Sequence, residues 1–394
     1  MPTLPGTWLE GSLACLPDPL PAISLVLVIQ DGLPVTLLRT FAEVPRSDLI
    51  WASAAGSATT DDPRFDVLAR AEGYPAGWGA DVRSADVTVV IPTVGDPQRL
   101  DVAIRSLLPF LPTLREVLIV VNGYPSEPVR YRVGMLTDDS RIRVLTSDPG
   151  LSTARNVGLD AARSQYVAFL DDDVQVGAHW RTAIDRVVAM YPGSDLITGC
   201  VLSTPPASAA QFWFEAVGGF HKGFDELIVD GGSLTPGQAL MRASKVGTGA
   251  VMVLRRGVDP ALHFSETLGA GTLAKGGEDL DLVVRALRQG SVVVYAPDVI
   301  VRHPGPANWD LLRRQVFAYG RGLSAMVTHG LVTGMIPPVQ IVGLLPGSVK
   351  TVVNRTGYAQ SQRERFPVSL RLREAAGLML GPFDYLRSRR QQRD

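Results

Sequence analysis

Tyr166-Val167-Ala168-Phe169-Leu170-Asp171-Asp172-Asp173-Val174 is the stretch on which the fold of this chain turns. The apolar run predicts a buried strand, and three consecutive carboxylates close it. Negative charge crowded at a strand end costs free energy unless a cation or hydrogen-bond donors offset it. For hard oxygen ligands the usual partner is a divalent metal that also bridges to a ligand's phosphates. A solvated acidic turn has the same local sequence, so the reading rests on what surrounds the triplet.

Upstream, Val87-Thr88-Val89-Val90-Ile91 is an apolar, β-branched run ended by Pro92. Leu100, Ile104, Leu107 and Leu108 follow at i, i+4, i+7 and i+8, which predicts an amphipathic helix. Val117 to Val121 predicts a second strand, ended by Asn122-Gly123, and Ile142 to Leu145 a third. A helix beginning near Ser152, with Ser152 as its N-cap, leads into the strand that ends at Asp171. Trp180, Ile184, Val187 and Val188 again keep helical spacing. Strand–helix alternation with wholly apolar strands implies a parallel sheet covered on both faces. Ligands of such sheets bind at the carboxyl ends of the strands. Pro92-Thr93, Asn122 and Asp171 to Asp173 all fall at those ends, on one rim, which makes the rim a candidate nucleotide cleft.

Composition narrows the function classes. The chain has 394 residues, 46% of them hydrophobic and 20% charged, enough for one large domain or two ordinary ones. Its 38 basic and 39 acidic residues give a formal charge of −1, which argues against bulk nucleic-acid binding. Cys15 and Cys200 are too few for a disulfide framework or a zinc cluster, and a reducing, cytosolic setting fits best. Met1 to Gly6 lacks the basic and apolar segments of a signal peptide. No run of eighteen apolar residues predicts a membrane span. Gly330 to Val353 is weakly polar, but Pro337, Pro338 and Pro346 interrupt it, so a buried or membrane-surface segment is expected there.

Several residues outside the triplet can carry chemistry. Arg155, in the first turn of its helix, can reach a nucleobase or a phosphate, although arginines in such positions are commonly just solvated. Gly276-Gly277-Glu278-Asp279-Leu280-Asp281-Leu282-Val283-Val284-Arg285 predicts a helix starting near Glu278, because Leu280, Val283, Val284 and Leu287 share one face. The helix dipole accounts for acids at that position, but not for Gly269, Gly271, Gly276 and Gly277 before them. Those glycines let backbone approach a ligand closely, and a carboxylate there can act as a general base on an acceptor hydroxyl. Ser291 to Tyr295 and Val299 to His303 read as further strands, and His303 is a metal or phosphate ligand or a capped structural histidine.

Together these segments resemble family 2 glycosyltransferases of the GT-A fold. The resemblance spans roughly residues 86 to 305: a first strand ending Ile91-Pro92-Thr93, an Ala-Arg-Asn segment, a Phe-Leu-Asp-x-Asp motif, then a Glu-Asp pair. It implies a Rossmann-like, mostly parallel sheet flanked by helices. By the same resemblance, Pro92, Thr93, Asn122 and Arg155 hold the nucleobase end of a sugar nucleotide, a UDP-sugar being the first expectation. Asp171 and Asp172 contact the ribose and its surroundings, Asp173 binds Mg²⁺ or Mn²⁺ on the diphosphate, and Asp279, beside Glu278, is the catalytic base. The position after the second strand, often acidic in this family, is Asn122 here, which weakens the case for uracil.

Three parts are expected. Residues 1–84 form a small β-rich appendage with a hairpin of Ile23 to Ile29 and Val35 to Leu38 about Asp31-Gly32, and with a linker at 52–60. Residues 85–305 are the catalytic domain. Residues 306–394 are a helical extension whose Trp309 to Arg321 stretch resembles a lid or acceptor-side helix, and equally an amphipathic helix that packs on the domain. Its basic end, Arg387 to Arg393, can lie against anionic lipid, although most such runs are simply solvated tails. The apolar, proline-interrupted segment and the resemblance give the expected location, cytoplasmic and peripheral at the inner face of the cell membrane. The expected reaction is inverting transfer of a sugar to a hydroxyl of a glycan, lipid-linked or other small acceptor. A nucleotidyltransferase is the alternative enzyme, disfavoured because Thr93-Val94-Gly95-Asp96-Pro97 is not a glycine-rich basic loop. A non-catalytic nucleotide- or glycan-binding module is the third reading, and the intact acid sets speak against it.

Overall fold

A computed structural model describes residues 7–11, 24–30, 33–40, 65–69, 83–216, 219–247, 249–257, 262–340 and 367–392. The Asp31-Gly32 turn, the 52–60 linker, Cys15 and the part of the proline-interrupted segment from residue 341 on lie outside the described residues.

Strands β1 (Thr7–Gly11), β2 (Ser24–Gln30), β3 (Leu33–Thr40) and β4 (Phe65–Ala69) form a four-stranded sheet in that order. The expected hairpin is its centre: β2 and β3 pair antiparallel, with Val26 opposite Leu38.

A larger, nine-stranded sheet holds the rest. Its elements follow β5 (Val87–Thr93), α1 (Pro97–Leu107), β6 (Glu116–Asn122), α2 (Glu127–Leu136), β7 (Ile142–Ser147), α3 (Leu151–Ala161) and β8 (Tyr166–Leu170). Then come β9 (Gln175–Val176), α4 (Trp180–Met190), β10 (Ser194–Ser203), α5 (Ala209–Ala216), β11 (Leu227–Asp230), α6 (Pro236–Val246), β12 (Val251–Arg255), α7 (Glu278–Arg288) and β13 (Val292–His303). The strand order is β11-β13-β10-β12-β8-β5-β6-β7, with β9 paired to β13.

Alternation along the strands sorts side chains onto two faces. Val87, Val89 and Ile91 of β5 face a core built with Leu100 and Ile104 of α1, Val129 of α2 and Trp180, Ile184 and Val187 of α4. Val90 faces the other core, with Ala154 and Leu159 of α3, Ala243 of α6 and Leu282, Val283 and Leu287 of α7. Leu27 of the small sheet joins this second core, and Glu10 pairs with Arg302 of β13.

The structure corrects three expectations. The sheet is parallel through β8-β5-β6-β7, but β12 lies antiparallel between β8 and β10, and β11 antiparallel to β13. Pairing direction leaves no mark on an apolar run, so β12 looks like its neighbours in sequence. The two runs of residues 291–303 are one strand, β13, whose partner register jumps from Gly199↔Ala296 to Cys200↔Ile300. The residues between are bulged out, and Asp298 among them accepts two hydrogen bonds from Arg186, at 2.6 and 2.9 Å. The N-cap of α3 is Gly150 rather than Ser152. Gly150 has φ +140°, a backbone that a side chain resists, and Ser152 Oγ instead donates to the Leu268 carbonyl at 3.1 Å.

Two long helices complete the molecule, α8 (Trp309–Val332) and α9 (Val368–Gln391). They pack at backbone contact: a Cβ on Gly320 would meet the Glu374 carbonyl oxygen at 2.2 Å, and one on Gly377 the Phe317 carbonyl oxygen at 2.2 Å.

Candidate active site

The carboxyl ends of β5, β6 and β8 lie side by side, as parallel pairing requires, and they carry the rim residues. Thr93, at the end of β5 with Pro92, donates its hydroxyl to Asp172 Oδ2 at 2.6 Å and accepts the Gly95 N–H at 2.9 Å. Asn122, closing β6, accepts the Gly150 N–H at 2.7 Å and so ties the rim to the entry of α3. Asp172 and Asp173 are buried, and Asp171 is partly exposed.

Asp171, Asp173 and His303 converge. His303 Nε2 lies 3.3 Å from Asp173 Oδ1 and 4.0 Å from Asp171 Oδ2, and one ligand atom from each residue falls within 4.8 Å of the others. Ligands on opposite sides of a Mg²⁺-sized ion sit about 4.2 Å apart, so this oxygen, oxygen and imidazole set fits a small divalent cation. His303 Nδ1 lies 2.8 Å from the Pro304 carbonyl, a partner that can only accept, so Nδ1 carries a proton and Nε2 is the ring atom turned toward the carboxylates. Phe220 packs on the imidazole at a ring separation of 4.5 Å.

Arg155 sits at the centre, 2% exposed. It donates to Asp171 Oδ1 and Glu278 Oε1, each at 2.9 Å, and to the Gly249 carbonyl at 3.2 Å, with its guanidinium 5.1 Å from the Phe264 ring. Burial alone would lower its pKa, but Asp171, Glu278 and Asp279 outweigh that and raise it. Its first-turn position suits a nucleobase or phosphate, but in the structure it is committed to carboxylates, as the tie between the metal-type cluster and α7. The next residue, Asn156, clamps the Phe264 backbone, donating to its carbonyl at 3.0 Å and accepting its N–H at 2.8 Å.

α7 begins at Glu278, as its sequence predicts. Gly277 caps it with φ +89°, pressed so closely on α8 that a Cβ would lie 2.6 Å from the Gly322 carbonyl oxygen. Asp279 Oδ2 accepts the Gly249 N–H at 2.8 Å, and Oδ1 accepts the Leu280 N–H at 2.7 Å. Burial, with Asp279 adjacent, pushes Glu278 up to about 7 despite Arg155. Burial likewise raises Asp171 and Asp172, Arg155 and Thr93 respectively opposing it. One turn on, buried Asp281 accepts from Arg285 at 2.8 Å and meets His329 of α8 at 3.4 Å, which in turn meets the Tyr385 hydroxyl of α9 at 3.1 Å. The helical extension thus braces the helix that carries the acid pair.

Sequence reading missed two members. Arg99, in the first turn of α1, is held by Asp173 and lies 3.8 Å from Asp172; its place just past the end of β5 is the signal that the rim rule offered. Gly249 bonds Asp279 and Arg155 through its backbone, which no side-chain pattern announces. Five carboxyl groups therefore share this volume with two guanidiniums, and ionising all five would leave an excess of negative charge that a divalent cation would offset.

Among the described residues no helix is long and apolar enough to cross a membrane. The family model described as glycosyl transferase family 2 matches residues 88–184. The pre-mycofactocin glycosyltransferase of Mycobacterium tuberculosis is 28% identical over 251 residues, which cover 62% of this chain and 48% of that protein. The chain thus spans about half the length of that relative. The succinoglycan biosynthesis protein ExoM of Rhizobium meliloti is 28% identical over 240 residues, 59% of this chain and 70% of that one. The mannosyltransferase PcManGT of Pyrobaculum calidifontis, solved with GDP-Man and Mn²⁺, superposes with a TM-score of 0.50 at 14% identity, covering 77% of this chain and 90% of that one. That likeness is one of fold, and the fold is GT-A. With the motifs, the rim geometry and the matched segment in agreement, the chain carries a glycosyltransferase domain of family 2.

Proposed function

We propose that the protein is an inverting glycosyltransferase that moves a sugar from a nucleoside-diphosphate donor to a hydroxyl of a glycan, lipid-linked or other small acceptor. One observation carries the reading: Asp171, Asp173 and His303 converge at one end of the Arg155 guanidinium while Glu278, beside Asp279, is bound at the other. A donor side and an acceptor side are thereby held in fixed relation. Asp171, Asp173 and His303 would hold Mg²⁺ or Mn²⁺, which when bound would supply Lewis-acid stabilisation of the leaving diphosphate. Pro92, Thr93, Asn122 and Asp172 bind the nucleoside end along the strand rim. The GDP-Man and Mn²⁺ in the Pyrobaculum mannosyltransferase support a nucleotide-sugar donor and a divalent ion.

Asp279 is the base. The Gly249 and Leu280 N–H groups fix its carboxylate in one orientation, and it takes the proton of the acceptor hydroxyl as that oxygen attacks the anomeric carbon. The bond to the diphosphate breaks on the opposite face, so a single displacement inverts the configuration. Glu278 and Asp171 hold Arg155, and Arg155 keeps the buried acids from repelling one another apart.

The test is a donor screen. UDP-, GDP- and dTDP-sugars are incubated with the protein in Mn²⁺ or in EDTA, and released nucleoside diphosphate is measured. Release from donors of one nucleobase in Mn²⁺ alone is expected. Release of pyrophosphate from a nucleoside triphosphate would instead make the protein a nucleotidyltransferase.

A further inference from the structure

The outward face of α9 bears an apolar stripe that nothing among the described residues covers. Leu372, Met379 and Phe383 are 66%, 73% and 65% exposed, and Val368 and Leu386 extend the stripe to both ends. Steps of three, four and seven residues keep all five on one side of the helix. The side facing α8 holds Glu374, Gly377, Gly381, Asp384 and Tyr385, all buried. Both acids of the helix are thus turned inward, Asp384 onto Arg321 of α8. The charge left beside the stripe is entirely basic: Arg373, Arg387 and Arg390 are exposed, and Arg371 and Arg389 are half-buried.

This distribution selects its occupant. A second copy of α9 would be repelled, because arginines stand at both ends of the stripe and pairing in either direction sets arginine against arginine. A spanning orientation fails on hydropathy. An apolar stripe edged with arginine along a 24-residue helix suits burial in the plane of a bilayer surface, with acyl chains against the stripe and lipid phosphates on the guanidiniums. We propose that α9 is an in-plane docking helix for an anionic lipid bilayer. The inference is independent of the transfer reaction.

Flotation of the full chain with phosphatidylcholine vesicles, with and without phosphatidylglycerol, tests it. Binding is expected to vesicles containing phosphatidylglycerol, and to weaken about tenfold or more in phosphatidylcholine alone or in high salt. Met379→Glu with Phe383→Glu is expected to abolish flotation with an unchanged melting temperature, since both side chains lie at the surface. Arg387→Glu with Arg390→Glu is expected to remove the preference for phosphatidylglycerol. Three results would overturn the proposal. These are no flotation of the parent chain, undiminished flotation of the Met379→Glu, Phe383→Glu variant, or a self-association of the parent that this variant disperses.

Discussion

Glu278 and Asp279 are adjacent in sequence but occupy different surroundings. Glu278 is buried on Arg155, whereas Asp279 is held by two backbone N–H groups at the start of α7. Their substitutions therefore part company. Asp279→Asn keeps the shape and the Gly249 bond but removes the basic oxygen, so transfer should fall about 10²–10⁴-fold while nucleoside diphosphate binding stays near that of the parent. Steady-state rates and calorimetry on one preparation check this. Glu278 gives a pH signature. Its folded pKa of about 7 exceeds the ordinary 4.5, so the folded state binds the extra proton and the associated stability is lost as pH rises through 4.5 to 7. Glu278→Gln removes that dependence. In EDTA, the parent should lose about 1–3 kcal/mol more than the variant between the two ends of that window, read by urea unfolding.

At the scale of elements, helices and glycines position the site. α8 meets α9 through glycines that admit backbone against backbone, and α8 meets the head of α7 at Gly322 and Gly277. Gly377→Ala would drive a methyl group to 2.2 Å from the Phe317 carbonyl oxygen, and should cost about 1–3 kcal/mol in urea unfolding. Gly193→Ala, with nothing within 4 Å of the added carbon, is the control and should stay within about 0.5 kcal/mol. Much of this architecture was readable beforehand. β-branched apolar runs mark β5 and β6, an apolar run marks β8, and Gly276-Gly277 before two acids marks the start of α7. What was not readable has physical causes. Val251 to Leu254 carries no sign of pairing direction, so the antiparallel β12 was invisible. Pro297-Asp298 reads as a break because a bulge and a strand end share the same residues. Arg155 looked like a solvated first-turn arginine because its partners, Asp171 and Glu278, are 16 and 123 positions away.

Over the whole molecule, near-neutral net charge conceals strong segregation. Acids gather at the rim of the large sheet, while arginines edge the outer face of α9. We propose that residues 85–305 are the catalytic unit, braced by the small sheet at Glu10 and Leu27 and by the helical extension at Gly322 and His329. We propose that Arg155 divides the labour of the site, with metal and diphosphate on the side of Asp171, Asp173 and His303 and proton transfer at Asp279. Calorimetric titration of the accepted nucleoside diphosphate, with Mn²⁺ and with EDTA, into the parent, Asp173→Ala and Asp279→Asn tests that division most directly. The expected result is Mn²⁺-dependent binding by the parent and Asp279→Asn, and its loss in Asp173→Ala. Parent-like, Mn²⁺-dependent binding by Asp173→Ala would contradict it.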